Sequence, residues 1–357
     1  MPEAAGSYII RPQTSLPANY YQLTTMSSIS IIGAGSWGTA LSVALSGAAQ
    51  KITLWAYEDA VAESIRTVHE NRLFLPGIIL PDSIVPTTNL PEALQGAEFV
   101  ISVMPSHVCR SLYRHMLPHL REDMILVSAT KGLELEPLMR MSEVIRSVTE
   151  PRFQARLAIL SGPSFAREVA RGEPTAVVVA SKDRGVAESV QSEFSSGALR
   201  LYTSADETGV ELGGSVKNII AIAAGVILGL GLGHNPMAAL ITRGLTEMTR
   251  LACACGARPE TLAGLAGMGD LVLTCTGELS RNRGVGIELG RGRSLAEILA
   301  SMNSVAEGVK TTAAALALAR LHGIDMPITQ HVSLVLEGRI SPREAIRQLM
   351  ERSLKNE

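Results

Sequence analysis

A glycine-rich turn near the start of the chain constrains the fold more than any other feature of its 357 residues. Four apolar or small residues, Ile29 to Ile32, run directly into Gly33, Gly35 and Gly38, which have the spacing G-x-G-x-x-G, and helical spacing of apolar residues follows. Strand, turn and helix in this order are typical of a dinucleotide site. The first glycine permits the tight turn, the second lets the backbone approach a pyrophosphate, and the third lets the helix pack closely. An ordinary strand-to-helix turn is the alternative.

Short apolar runs alternate with helical spacers as far as about residue 205. The runs predicted as strands, besides the first, are 51–55, 99–103, 124–128, 157–160, 175–180 and 199–202. This alternation favours an α/β fold with a doubly wound, mostly parallel sheet. We therefore predict a dinucleotide-binding domain over residues 28–205. Residues 1–27 show no periodicity, and we expect a disordered extension there, with a loosely docked arm as the alternative.

Only helical spacing follows, which predicts an all-α C-terminal domain over residues 206–357. Because aromatic residues make up only 4% of the chain, we expect an aliphatic core with closely packed helices rich in Ala and Gly. Asn235 is typical of an N-cap and Pro236 of a first helical turn, so we predict that a helix starts at these residues. Gly256 is typical of a residue that ends a helix, and we predict that this helix ends there.

Charge and cysteine usage exclude several classes of function. The formal net charge is −2 and no basic block occurs, which argues against binding of nucleic acid. The four cysteines show no C-x-x-C spacing, so we expect reduced thiols and no metal site. We see no secretory signal, and the longest apolar run, 219–233, is shorter than the roughly 20 residues that a membrane span needs. These features favour a cytoplasmic protein without a membrane span.

Polar and small residues follow two of the predicted strands. Lys131 comes shortly after the strand 124–128, and Gly162 and Ser164 follow the strand 157–160. Ligands of doubly wound sheets bind at the carboxyl ends of the strands. Lys131 is therefore well placed to meet a bound anion, although a solvated lysine at a strand end is equally expected from this position alone.

A lysine interrupts the most apolar helix that the sequence predicts, 210–229. Lys217 and Asn218 lie in its middle. Burial of an ammonium group is unfavourable unless the group is paired or used, whereas a snorkelling lysine would reach water. We favour a functional lysine. A later glycine-rich turn, 264–274, presents one carboxylate, Asp270.

The segment Ser280-Arg281-Asn282 has the pattern of a helix start. Ser280 is a suitable N-cap, and Arg281 then lies at the positive end of the helix, where a cation is unfavourable. A bound anion would compensate that charge, so we predict an anion site here.

Nine segments occur in order between residues 29 and 310: GAGSWGTAL, MPSH, ATKGLE, SGPSFAREV, ELGGSVKNIIAIAAG, TRGL, GMGDLVLTC, SRNR and VAEG. Together they closely resemble the bacterial-type glycerol-3-phosphate dehydrogenases that use NAD or NADP. The resemblance covers nearly the whole chain after Ser28. It implies a Rossmann-like domain followed by a helical one, a homodimer, and reversible hydride transfer between NAD(P)H and dihydroxyacetone phosphate. The product, sn-glycerol 3-phosphate, would serve glycerophospholipid synthesis.

The resemblance also implies roles for individual residues. Lys217 would be the catalytic acid and base, with Lys131 and Asp270 as further catalytic residues. The residues implied to bind the cofactor are Gly33, Gly35, Ser36, Trp37, Gly38, Tyr57, Lys131, Ala166, Arg281, Val305 and Glu307. The residues implied to surround the substrate are Lys131, Gly162, Ser164, Lys217, Asn218, Asp270, Ser280, Arg281 and Asn282.

The preferred cofactor depends on the residues after the second strand. Glu58 and Asp59 lie about twenty positions beyond the glycine turn, where an acidic residue binds the adenosine ribose of NAD. Tyr57, not an acid, lies nearest the strand end, so we expect both cofactors to be used, with NADP at least competitive. Two other functions stay open from the sequence: a hydroxyacid dehydrogenase of the same superfamily and a non-enzymatic cofactor sensor.

Overall fold

The computed structural model describes residues 27–47, 49, 51–302 and 306–353. Its strands, numbered in chain order, are β1 (Ser28–Ile32), β2 (Lys51–Trp55), β3 (Ile84–Thr87), β4 (Phe99–Ser102), β5 (Ile125–Ser128), β6 (Leu133–Glu134), β7 (Met139–Arg140), β8 (Arg156–Ser161), β9 (Thr175–Ala180) and β10 (Leu199–Ser204). The α-helices are α1 (Ser36–Leu45), α2 (Asp59–Val68), α3 (Leu90–Leu94), α4 (Cys109–Met116), α5 (Met141–Thr149), α6 (Ala166–Ala170), α7 (Arg184–Phe194), α8 (Glu207–Gly229), α9 (His234–Ala254), α10 (Pro259–Ala263), α11 (Asp270–Thr276), α12 (Arg281–Gly290), α13 (Leu295–Ala300), α14 (Glu307–Leu321), α15 (Pro327–Leu336) and α16 (Pro342–Met350).

The main sheet has the strand order β10-β9-β8-β5-β4-β1-β2-β3, and β6 and β7 form a separate antiparallel hairpin. All neighbours in the main sheet are parallel except β8 and β9. Every residue of β4 and β5 is buried, as expected for central strands with both faces covered. The predicted doubly wound, mostly parallel sheet is therefore confirmed, and the described residues after β10 contain helices only.

Local predictions failed at three places, the first being the two-residue strands of the β6–β7 hairpin, which the sequence analysis did not predict. Strand β3 was missed because it is a short edge strand containing Pro86, which cannot donate to a sheet. The prediction that Asn235 caps α9 was wrong: Gly233, in an extended conformation, occupies the N-cap and Asn235 lies inside the first turn. Gly256 follows the helix with φ of 91° and ends it as predicted.

Helix α8 forms the centre of the helical region. It crosses α12 at glycines on both helices: a Cβ at Gly286 would lie 1.9 Å from the carbonyl oxygen of Ile222 and 2.9 Å from Gly225 Cα. Among the described residues α8 is also the one helix long and apolar enough to cross a membrane, but 83% of its most apolar window is buried within the protein. It is packed as a core helix, and the expected close packing of small residues is present.

Paired charges join the start of α8 to α5 beside the sheet. Arg146 donates to both carboxylate oxygens of Glu207, at 2.8 and 2.7 Å. Arg140 donates to Glu211 at 2.7 Å, and the Ser142 backbone N–H donates to the other oxygen at 2.7 Å. Both carboxylates are buried, so these bonds are needed to offset their desolvation. They hold α8 at a defined position against the sheet.

Candidate active site

The glycine turn has the geometry that a dinucleotide requires. Gly33 has φ of 122°, and a Cβ there would lie 2.1 Å from the carbonyl oxygen of Val103. A Cβ at Gly38 would lie 1.9 Å from the Gly33 carbonyl oxygen, so the helix approaches the turn closely. A Cβ at Gly35 would meet nothing within 4 Å, which leaves open space in front of the turn. Helix α1 also has no side-chain cap and no acid in its first turn, as suits an anion.

A loop between α2 and β3 is fastened over this turn. The Asn71 side-chain amide donates to the Ala34 carbonyl and to Thr39 Oγ1, both at 2.8 Å, and Asn71 Oδ1 accepts from the Phe74 N–H at 3.0 Å. Ser36 Oγ donates to the Phe74 carbonyl at 2.6 Å. Sequence reasoning missed Asn71, although an asparagine at the start of a loop is a residue type that often bonds to nearby backbone groups.

Two of the residues implied to bind the cofactor, Trp37 and Ala166, pack against one apolar cluster. This cluster contains Leu75. Ala166 begins α6, which packs across α1. They contribute an apolar wall beside the glycine turn.

The residues after β2 face solvent. Tyr57 is 80% exposed and meets the Trp55 ring edge-on with centroids 6.3 Å apart. Glu58 occupies the N-cap of α2 without a side-chain cap bond, and Asp59 begins the helix. All three can reach a ligand extending past β2.

Two lysines meet on one buried carboxylate. Lys131 Nζ lies 2.8 Å from Asp270 Oδ2, and Lys217 Nζ contacts Asp270 Oδ1. Lys217 Nζ also donates to Thr274 Oγ1 at 2.8 Å. Lys131 Nζ is 3.5 Å from the Gly162 carbonyl oxygen. Sequence reasoning missed Thr274, which follows Asp270 by four positions and so shares its helical face.

Burial changes the acidity of Lys217. Desolvation and the nearby Lys131 charge together lower the pKa of its ammonium group to about 7, although Asp270 acts in the opposite direction. A lysine with this pKa can both give and accept a proton near neutral pH, as an acid-base catalyst must. The sequence-based preference for a functional lysine over a snorkelling one agrees with its 5% exposure.

A π-helical turn places the carboxylate. It spans Leu265–Gly269 and ends directly before Asp270. A Cβ at Gly213 of α8 would lie 2.5 Å from the Ala266 carbonyl oxygen, so this turn is pressed against the helix that carries Lys217. Such turns occur often at functional sites.

The predicted anion site lies at the start of α12. Ser280 Oγ accepts from the Arg283 N–H at 3.2 Å and caps the helix as predicted. Arg281 has no ion pair within the part of the chain that the structure describes. The Arg281 side chain reaches solvent from a cleft. Desolvation by the walls of this cleft lowers the pKa of its guanidinium group, whereas the Glu307 carboxylate acts to raise it. The side-chain Oδ1 of Asn282 accepts from the Gly308 N–H at 3.0 Å and so holds the start of α14.

Four further implied residues lie on the elements that surround these groups: Gly162 and Ser164 after β8, Asn218 in α8 and Glu307 in α14. Glu307 accepts from Ser106 Oγ at 2.8 Å, which joins α14 to the turn after β4. Ser164 Oγ donates to the Gly162 carbonyl at 3.0 Å, and Gly162 has φ of 145°. Asn218 is buried beside Lys217. Val305 lies outside the described residues.

The arrangement suits reduction of a polarised carbonyl group. One carboxylate orients two cations, a serine-capped helix start with an arginine can take an anionic group, and the glycine turn can take a pyrophosphate. Within the described ranges no group of three or more His, Cys, Asp or Glu side chains could hold a metal ion.

Comparisons with known proteins agree with this geometry. The models for the N-terminus and C-terminus of NAD-dependent glycerol-3-phosphate dehydrogenase match residues 28–187 and 206–347. A protein of Koribacter versatilis called glycerol-3-phosphate dehydrogenase [NAD(P)+] is 57% identical over 329 residues, covering 92% of this chain and 98% of its own. One of the same description from Acidobacterium capsulatum is 55% identical over 338 residues, 93% of this chain and 100% of its own.

A solved structure gives the same result for the fold. The crystal structure of glycerol-3-phosphate dehydrogenase from Coxiella burnetii superposes with a TM-score of 0.87 at 39% identity, over 92% of this chain and 99% of that one. The chain is therefore an oxidoreductase that uses NAD or NADP, and it belongs to the NAD(P)-dependent glycerol-3-phosphate dehydrogenase family.

Proposed function

We propose that this chain transfers hydride reversibly between NAD(P)H and dihydroxyacetone phosphate, giving sn-glycerol 3-phosphate. The observation that carries the proposal is the buried Lys217, which shares the Asp270 carboxylate with Lys131 at the edge of the glycine-turn domain. The names of the relatives from Koribacter versatilis and Acidobacterium capsulatum support the choice of substrate.

The catalytic roles follow from the charge that develops during reduction. The nicotinamide, when bound, supplies the hydride, and negative charge then builds on the ketone oxygen. Lys217 donates a proton to that oxygen, and in the oxidative direction it accepts the hydroxyl proton. Lys131 stabilises the oxygen as a second cation. Asp270 is buried between both ammonium groups and fixes their separation.

The cofactor would bind along the turn and the cleft beside it. Gly35 leaves room for the pyrophosphate, and the uncapped start of α1 offers it free N–H groups. Ser36, Trp37 and Ala166 would line the same end. Tyr57 would lie on the ribose side, and Lys131, Arg281 and Glu307 on the nicotinamide side. The resemblance adds Val305 to the cofactor residues. Because Tyr57 lies between β2 and the two acids, we infer that NADP competes at least equally with NAD.

The substrate phosphate would bind at the start of α12. Arg281 supplies a charge-assisted donor, and Ser280 and Asn282 belong to the same helical turn, whose free N–H groups favour a dianion. Gly162, Ser164 and Asn218 would complete the substrate site from the sheet and from α8.

A comparison of three ketones tests this function. NAD(P)H absorbance is followed with dihydroxyacetone phosphate, with unphosphorylated dihydroxyacetone and with a 2-oxo acid. We expect fast oxidation of NAD(P)H with the first alone. Reduction of the 2-oxo acid in preference would indicate a hydroxyacid dehydrogenase. Tight cofactor binding without any reduction would indicate a cofactor sensor.

Further properties belong to the same proposal. We infer a domain of residues 28–205 for the cofactor and one of residues 206–357 for the substrate, a homodimer, a cytoplasmic location and a role in supplying glycerophospholipid synthesis. The resemblance supports all of these. Light scattering measures the dimer, and a monomeric mass at the working concentration of the enzyme would refute it.

A further inference from the structure

One hydroxyl group joins the loop that carries Lys131 to the helix that carries Lys217. Ser215 Oγ accepts a hydrogen bond from the Gly132 N–H at 2.9 Å and donates one to the Gly132 carbonyl at 3.2 Å. Ser215 is 1% exposed. Gly132 directly follows Lys131, and Ser215 precedes Lys217 by two positions in α8, so the connection between the two lysines is short.

Gly132 is enclosed on its other side as well. Its φ of 140° belongs to the left-handed region, and a Cβ there would lie 2.6 Å from both the Cβ and the Oγ of Ser106. Ser106 is itself held by Glu307 of α14, at 2.8 Å. The Gly132 backbone is therefore confined between the turn after β4 and α8.

The Lys131 side chain passes directly over α8 from this point. A Cβ at Gly214 would lie 3.8 Å from Lys131 Cδ and 2.4 Å from Ser161 Oγ, so only a glycine leaves room there. From this path Lys131 reaches Asp270 Oδ2 at 2.8 Å. A small displacement of the loop would move the ammonium group out of hydrogen-bond range.

We propose that Ser215 is a positioning residue of the reaction: its two hydrogen bonds fix the Lys131-Gly132 backbone on α8, so that Lys131 and Lys217 engage opposite oxygens of Asp270. The inference rests on the proposed function, because its kinetic effect is expressed through the chemistry of Lys217. Because Ser215 is buried and both of its hydrogen bonds go to Gly132, it acts through the loop and not on the reacting atoms.

Loss of the hydroxyl has two expected effects. The buried Gly132 N–H loses its partner, which favours a shift of the loop towards another acceptor. Lys131 then leaves Asp270, and a displacement of about 1 Å at a reacting site can lower turnover by about 100-fold.

The second effect is on the acidity of Lys217. The charged groups that face it are Asp270 of α11 and Lys131, and the neutral Cys275 thiol lies nearby. Because the Lys131 charge lowers the pKa of Lys217, withdrawal of that charge raises it. Reduction needs protonated Lys217, so its activity should then persist to higher pH.

The test compares Ser215→Ala with Ser128→Ala. Ser128 is a buried serine of β5, the strand that leads into the same loop, and its hydroxyl has no hydrogen-bond partner within the described part of the chain. We measure kcat, the pH dependence of kcat in the reductive direction, and amide hydrogen exchange of the peptide covering residues 129–134. For Ser215→Ala we expect kcat lower by about 10- to 100-fold, a high-pH limb displaced upwards, and faster exchange. Ser128→Ala should match the wild type in all three.

Two results overturn the inference. One is wild-type turnover and pH dependence in Ser215→Ala. The other is a slower variant whose pH dependence and exchange are both unchanged, because the loss would then not come from the loop. If Ser215→Ala does not fold, Ser215→Cys fills the site with a slightly larger side chain that is a weaker donor and acceptor, and it should show the same three changes to a smaller degree. Failure of this inference can be distinguished from failure of the proposed function. Amide hydrogen exchange does not depend on activity and tests the role of Ser215 directly, whereas the proposed function is refuted only if the wild type does not reduce dihydroxyacetone phosphate.

Discussion

Replacement of Lys217 by alanine tests the central assignment. The change removes the proton donor and one of the two cations that can stabilise the ketone oxygen. Lys131 stays 2.8 Å from Asp270, so the carboxylate keeps a partner and the cleft keeps one positive charge. The fold and cofactor binding should therefore persist, while turnover falls.

The magnitude follows from the two lost contributions. General acid catalysis contributes about 10²- to 10⁴-fold, and a preorganised donor to a developing oxyanion about 10²- to 10³-fold. Because one group supplies both, the contributions do not simply multiply. We expect kcat to fall by at least about 10³-fold, which corresponds to about 4 kcal/mol in activation free energy.

The assay is NAD(P)H oxidation with saturating dihydroxyacetone phosphate, together with NADPH fluorescence titration for cofactor binding. Lys310→Ala is the matched control, because Lys310 is an exposed lysine of α14. It should keep wild-type turnover. A Lys217→Ala enzyme within tenfold of the wild type would refute the assignment of Lys217 as the acid.

Four further outcomes can be measured. Arg281→Ala should lose discrimination between dihydroxyacetone phosphate and dihydroxyacetone, since a charge-assisted contact contributes about 1.5–3 kcal/mol; an unchanged ratio of kcat/KM would place Arg281 on the cofactor side alone. NADP should be used at least as well as NAD, and a preference for NAD above a hundredfold would mean that Glu58 or Asp59 reaches the ribose. A chain starting at Met26, which lies outside the described residues, should fold and be active; an insoluble product would contradict a dispensable extension. Burial raises the pKa of Glu247 from 4.5 to about 7, so the free energy of unfolding should fall by about 3 kcal/mol as pH rises between those values, and denaturant titration of Glu247→Gln should show no such slope.

Local sequence patterns determined most of the architecture. The alternation of apolar runs with helical spacers predicted six of the seven main-sheet strands that follow β1, and only the Pro-containing edge strand β3 was missed. The glycine turn was predictable to the residue, because Gly33 and Gly38 are required by contacts within a few residues of the turn or with the adjoining strand. Caps such as Ser280 are likewise encoded within one helical turn.

The site depended on contacts that no local pattern contains. Lys131, Lys217 and Asp270 each stood out in the sequence, but their meeting on one carboxylate follows from the way α8 docks on the sheet and on the π-helical turn. Ser215 gave no separate signal, since small hydroxyl residues are common in helices and its partner Gly132 lies far away in the chain. Thr274 shares a helical face with Asp270, but its contact with Lys217 joins two distant helices.

The acidity of Lys217 was also decided by the tertiary structure. An ammonium group in a predicted apolar helix could be buried or could snorkel to water, and the sequence fits both arrangements. Only the surrounding helices show that Lys217 is 5% exposed, faces Asp270 and lies close to Lys131. Local periodicity encodes which elements form, whereas desolvation and the distance between charges depend on how those elements pack together.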